Sequence, residues 1–152
     1  MTKLSFKQTV TAPTKAVDYL AEQSGLPKLR IKDAMAKGAV LLRRNSKVQR
    51  LRRVTAELLI DDQVEFYYDE DILARKPEAP NLVADYKQYS VWFKPSGVLA
   101  QGNEFGDHCA LLRLVEVALN RPVFLIHRLD REAQGLTPVS YTHLRAHETV
   151  LD

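Results

Sequence analysis

Residues 122–131 read Pro-Val-Phe-Leu-Ile-His-Arg-Leu-Asp-Arg, with Gly135-Leu136 close behind. A mostly apolar run leads straight into Asp130, which Arg128 and Arg131 flank. A buried strand that delivers a carboxylate between two cations keeps that carboxylate ionised and fit to act as nucleophile or base. Taken alone, the run also fits a surface ion-pair cluster, which contributes little to stability.

Other candidate chemistry is thinner. His143 and His147 stand four apart, the spacing at which two imidazoles share a helix face and bind zinc, but no Glu follows the first His. His108-Cys109 reads as a helix start and a buried thiol. Gly102 and Gly106 are isolated loop glycines, and no Gly-rich phosphate loop is present. Neither a metal nor a cofactor is expected.

The elements that must position Asp130 are legible as patterns. Residues 82–85 and 89–94 read as strands around a short turn, with Tyr89 and Trp92 as core residues. Lys94-Pro95-Ser96-Gly97-Val98 follows as a loop. Asp107 is expected to cap a helix over residues 108–119, with Leu111, Leu112, Val115 and Leu119 as its apolar face. Residues 123–126 then form the strand that ends at the Asp130 run.

The first half of the chain has a different pattern. Thr14 is a candidate cap for a helix carrying Val17, Leu20 and Ala21. Residues 24–27, Ser-Gly-Leu-Pro, interrupt it. Pro27 suits the start of a second helix, whose Ile31, Ala34 and Met35 share one face. Gly38 stops that helix. Residues 39–42 and 48–54 read as strands around an Asn45-Ser46 turn. Asp61-Asp62 marks another turn, and Val64, Phe66 and Tyr68 alternate with Glu65, Tyr67 and Asp69 as in a half-buried strand. Residues 70–81 are charged, contain Pro77 and Pro80, and read as a linker.

Charge is segregated along the chain. The net charge is +3, yet residues 28–53 hold ten Lys/Arg against the single acid Asp33, leaving the remainder acidic. An excess of this size on a foldable segment points to a polyanion-binding face. Its candidates are Lys28, Arg30, Lys32, Lys37, Arg43, Arg44, Arg50, Arg52 and Arg53. No apolar run reaches the roughly 18 residues of a membrane helix. The N-terminus lacks a secretory core, and the single Cys109 fits a reducing, cytoplasmic setting.

His127-Arg128-Leu129-Asp130, followed by Gly135-Leu136, resembles the H-R-L-D-x-x-T-S-G-L motif of RluA-type RNA pseudouridine synthases. Ala133-Gln134 stands where that motif has Thr-Ser. Lys94-Pro95-Ser96-Gly97 resembles the K-P-x-G loop that opens the same catalytic domain. The two helices and basic hairpin resemble an S4-type RNA-binding module, through residues 29–34, 37–40 and 61–64.

The resemblance implies that Asp130 is the essential carboxylate, attacking ribose C1′ or removing the 2′ proton. It implies that Arg128 fills the space left by an extruded uridine, that His127 shapes the loop, and that Arg131 contacts phosphate or neutralises Asp130. The partner would be ribosomal or transfer RNA, bound chiefly through its phosphates. No membrane or metal partner is implied.

The expected fold class is α+β, with an S4-like module over residues 1–69, the linker at 70–81, and the start of a mixed-sheet catalytic domain over 82–136. Pro138 lacks the N–H that a central strand would use. The run from 139 to 149 resembles translated sequencing adapter, so 137–152 is expected to be a non-native tail. The family's later tyrosine and basic residue are missing, and the 152 residues alone are expected to be inactive. The alternative reading is a non-catalytic S4-type RNA-binding protein.

Overall fold

A computed structural model describes residues 2–126 and 134–142. It is a mixed α and β structure with antiparallel sheets. Its residues fall into two compact units, Met1–Arg75 with Asn103–Asp107, and Lys76–Gly102 with His108–Asp152. Among the described residues no helix is long and apolar enough to cross a membrane.

The first unit opens with strand β1 (Lys3–Thr9), which the apolar pattern alone does not announce. It lies at a sheet edge and presents only Leu4 and Phe6 as large apolar residues on one face, so its alternation is too short to stand out. Strand β2 (Thr14–Lys15) precedes helix α1 (Ala16–Ser24). Thr14 does not cap that helix, because it pairs in a ladder instead. Lys15 occupies the cap position and no side chain caps there.

Gly25 ends α1 with φ +76°, a left-handed conformation that glycine adopts without a Cβ penalty. Pro27 then sits at the cap position of helix α2 (Lys28–Ala36). Ile31, Ala34 and Met35 are fully buried, as their spacing predicts. Burying each of the two larger side chains is worth about 1.5–3 kcal/mol.

Strand β3 (Val40–Arg44) and strand β4 (Lys47–Arg50) form a hairpin around Asn45-Ser46. Both turn residues have positive φ, 53° and 65°, the signature of a type I′ turn, whose twist matches that of the strands it joins. Strand β5 (Glu57–Leu58) pairs with β2. Strand β6 (Gln63–Asp69) completes a sheet of order β1-β6-β3-β4. Val64, Phe66 and Tyr68 pack from it into the core with Leu20, Ile31 and Met35. Asp69 then caps the short helix α3 (Glu70–Leu73), so the charged segment after β6 begins as a helical turn.

The second unit holds strands β7 (Asn81–Asp85) and β8 (Tyr89–Lys94), helix α4 (Leu111–Leu119), and strands β9 (Phe124–Leu125) and β10 (Gly135–Ser140). The sheet order is β7-β8-β10-β9, antiparallel throughout. Leu111 and Val115 pack on Trp92, Val123 and Val139. Tyr89, expected in the core, is instead 39% exposed and stacks on Tyr86 with ring centroids 4.9 Å apart.

Residues 135–140 form a central strand despite Pro138. The Pro138 carbonyl accepts from Ile126 N–H, so this residue's hydrogen-bonding edge faces the two-residue strand β9. The missing N–H therefore falls on the β9 side and leaves the longer ladder to β8 intact.

Candidate nucleic-acid interface

The hairpin and the chain leaving it hold five of the six arginines of the basic segment, the sixth being Arg30 on α2. Four of these, Arg44, Arg50, Arg52 and Arg53, line a groove of about 590 Å³ in the first unit, with Leu42 and Leu51 among its apolar residues. Arginine suits such a face because its planar fork bonds phosphate oxygens in pairs.

Long-range pairing reshapes the charge that the sequence displays. Arg44 donates from Nε and Nη2 to the two carboxylate oxygens of Asp62, at 2.9 and 2.6 Å. Asp62 is buried, and this bond to Arg44 is the main reason its carboxyl lies below the usual carboxylate range. Arg52 grips Asp107 in the same two-point manner, at 2.7 and 2.5 Å. Arg50 Nε lies 3.4 Å from Asp107, and Arg50 Nη1 donates to the Gly38 carbonyl at 2.5 Å. Burial pushes the Arg50 guanidinium below its usual value, and Asp107 partly offsets this.

The helical candidates divide in the same way. Lys28 pairs with Asp18 at 2.8 Å. Lys37 pairs with Asp33 at 3.2 Å and donates to the Leu73 carbonyl at 2.8 Å. Arg30, Lys32, Arg43 and Arg53 are exposed and make no ion pair among the described residues. Three acids from outside the basic segment, Asp18, Asp62 and Asp107, thus neutralise part of it.

Asp107 is the residue whose role the sequence misplaces. It does not cap α4, which begins at Leu111 with Ala110 at the cap position and no side-chain cap. Its N–H donates to the Lys37 carbonyl at 2.9 Å, and its carboxylate holds the two arginines. No local pattern signals this, because Asp107 pairs with residues more than fifty positions away.

In the second unit, β8 ends at Lys94, whose side chain is fully buried. Its Nζ donates to the Val98 carbonyl at 2.6 Å and the Pro95 carbonyl at 3.3 Å, folding the Lys94-Pro95-Ser96-Gly97-Val98 loop around the ammonium. In the ladder Lys94 is opposite Gly135, the first residue of β10. The connection between β9 and β10 therefore re-enters the sheet at the end where this loop leaves it. That connection carries His127, Arg128, Asp130 and Arg131, which lie outside the described residues, as do His143 and His147. Comparison with protein-family models and with curated proteins finds no match to the chain.

Proposed function

We propose that this chain is part of an RNA pseudouridine synthase of the RluA type, with an S4-like RNA-binding unit preceding the segment that bears Asp130. The observation that carries the reading is the ladder position of Lys94 opposite Gly135. It brings the exit of the Lys-Pro-x-Gly-like loop and the re-entry of the His-Arg-Leu-Asp connection to one sheet end, the arrangement a shared catalytic site needs. The arginine-lined groove supports the RNA half of the reading.

In this reaction the N1–C1′ bond of uridine breaks, a C5–C1′ bond forms, C5 loses its proton and N1 gains one. Asp130 acts at the ribose as nucleophile or base. The base must leave its stack first, at a cost of a few kcal/mol that phosphate contacts offset.

A second reading, an RNA-binding protein without catalysis, is favoured by the groove lying wholly within the first unit. One assay separates the two. Ribosomal and transfer RNA labelled with tritium at uridine C5 is offered to the 152-residue chain and to the product of its complete gene. Tritium release by the gene product that vanishes in Asp130→Ala is the outcome expected of a synthase. RNA binding with no release from either protein leaves the second reading standing.

A further inference from the structure

Asp62 and Asp107 both hold groove arginines, but they are built differently. Asp62 is 3% exposed and also accepts from Leu59 N–H at 2.7 Å, three residues away, so it is bound into its own turn. The Asp107 carboxylate meets Arg50 and Arg52 across more than fifty residues of chain. It arrives on a small self-contained turn. Asn103 and Gly106 exchange backbone hydrogen bonds at 3.2 Å, and Asn103 Oδ1 accepts from Phe105 N–H at 3.0 Å. Phe105 rests edge-on against Tyr67, with ring centroids 5.8 Å apart.

One carboxylate between two guanidinium groups leaves a positive charge that Glu104, in the same turn, offsets only from beyond ion-pair distance. A phosphodiester also carries one negative charge, but it presents two unesterified oxygens in a geometry that arginine forks accept equally well. The Asp107 side chain is 11% exposed, and Arg50 and Arg52 keep 21% and 25% of their side-chain surface, so the cations remain within reach of an incoming anion. The same two arginines line the groove, where Arg53 adds a cation with no internal ion pair among the described residues.

We propose that Arg50 and Arg52 form a phosphate site that the Asp107 carboxylate occupies in the free protein, and that an RNA phosphodiester binds there by displacing it. The proposal rests on the RNA-binding reading above and adds to it a built-in competitor. Asp107 thereby sets how strongly the face holds RNA. It suppresses weak, non-selective attachment, because each RNA must outcompete an anion already in place.

The test is binding of a labelled stem-loop RNA to the full chain, measured from low to moderate salt for wild type, Asp107→Asn and Arg52→Gln. Asp107→Asn is expected to bind several-fold tighter. Arg52→Gln is expected to lose one phosphate contact, making the log Kd against log salt slope shallower by about 0.7–0.9. Thermal unfolding of each variant reports whether the turn still holds. Wild-type binding that is unchanged or weakened in a folded Asp107→Asn overturns the proposal alone. So does an Arg52→Gln slope equal to wild type, even if Asp107→Asn does not fold. Failure of wild type and Asp107→Asn alike to bind RNA at any salt overturns the RNA reading and this proposal with it.

Discussion

Arg44 and Asp62 meet fork to fork, Nε to Oδ1 at 2.9 Å and Nη2 to Oδ2 at 2.6 Å, with the acid buried and the base one-third exposed. The pair joins the end of β3 to the turn that starts β6, its neighbour in the sheet. Removing the acid's charge leaves the Arg44 guanidinium in place without its anion, so Asp62→Asn is expected to cost about 1–3 kcal/mol at neutral pH.

That cost should depend on pH in a defined direction. Asp62 in the folded protein lies below the ordinary value of 3.8, held there first by the Arg44 hydrogen bond. A depressed carboxyl contributes stability that is fully present above its unfolded value and lost as pH falls through the folded one. Denaturant midpoints should therefore fall more steeply below about pH 4 in wild type than in Asp62→Asn. Parallel acid limbs in the two proteins would show that the pair carries no such linkage.

Gly38 separates steric from conformational demands. It has φ +88°, and a Cβ there would sit 2.5 Å from Asp107 Oδ1 and 2.9 Å from Arg52 Nη1. Gly25 has a similar φ of +76°, but a Cβ there would meet nothing within 4 Å. Gly25→Ala should cost only the left-handed penalty, on the order of 1–2 kcal/mol. Gly38→Ala should cost that and more, because the Arg52–Asp107 fork must open. Equal losses of Tm in the two variants would mean that the Asp107 turn yields freely.

Exposed and paired arginines should also part company. Arg43→Glu and Arg53→Glu are expected to weaken RNA binding and flatten its salt dependence while leaving Tm nearly unchanged, since surface charges away from partners contribute little to folding. Arg44→Glu should lower Tm as well, because it sets a second carboxylate against Asp62. A loss of Tm at Arg43 or Arg53 equal to that at Arg44 would contradict the division drawn from the ion pairs.

Sequence and structure agree where the signal is local. Ile31, Ala34 and Met35 on one helix face, the Asn45-Ser46 turn, and the alternation of Val64, Phe66 and Tyr68 all follow from spacing within a few residues. The basic segment is equally visible as a run of residues 28–53. Its charge in space is not, because Asp18, Asp62 and Asp107 join it from other parts of the chain. For the same reason Asp107 reads as a helix cap next to α4, although its arginine partners lie at the end of β4 and just after it. Strand β1 escapes because edge strands carry a weak apolar pattern. The Asp130 run is read from its residue types, and the ladder supplies only the ends of the connection that holds it.

Pro138 shows that a local rule also gives way when geometry supplies an exit, but its neighbour is less well served. Thr137 is fully buried opposite Trp92 in the β8–β10 ladder, and its Oγ1 has no hydrogen-bond partner among the described residues. A buried hydroxyl without a partner carries a desolvation penalty of about 1–3 kcal/mol. Valine keeps the branched shape and β preference of threonine and replaces the hydroxyl with a methyl. Thr137→Val is therefore expected to stabilise the second unit by about 1 kcal/mol, read as a higher unfolding midpoint followed through Trp92 fluorescence. Thr137→Ser keeps the hydroxyl and removes a methyl, and should lower the midpoint. A destabilised Thr137→Val would mean that the hydroxyl has a partner in the folded protein, such as a bound water.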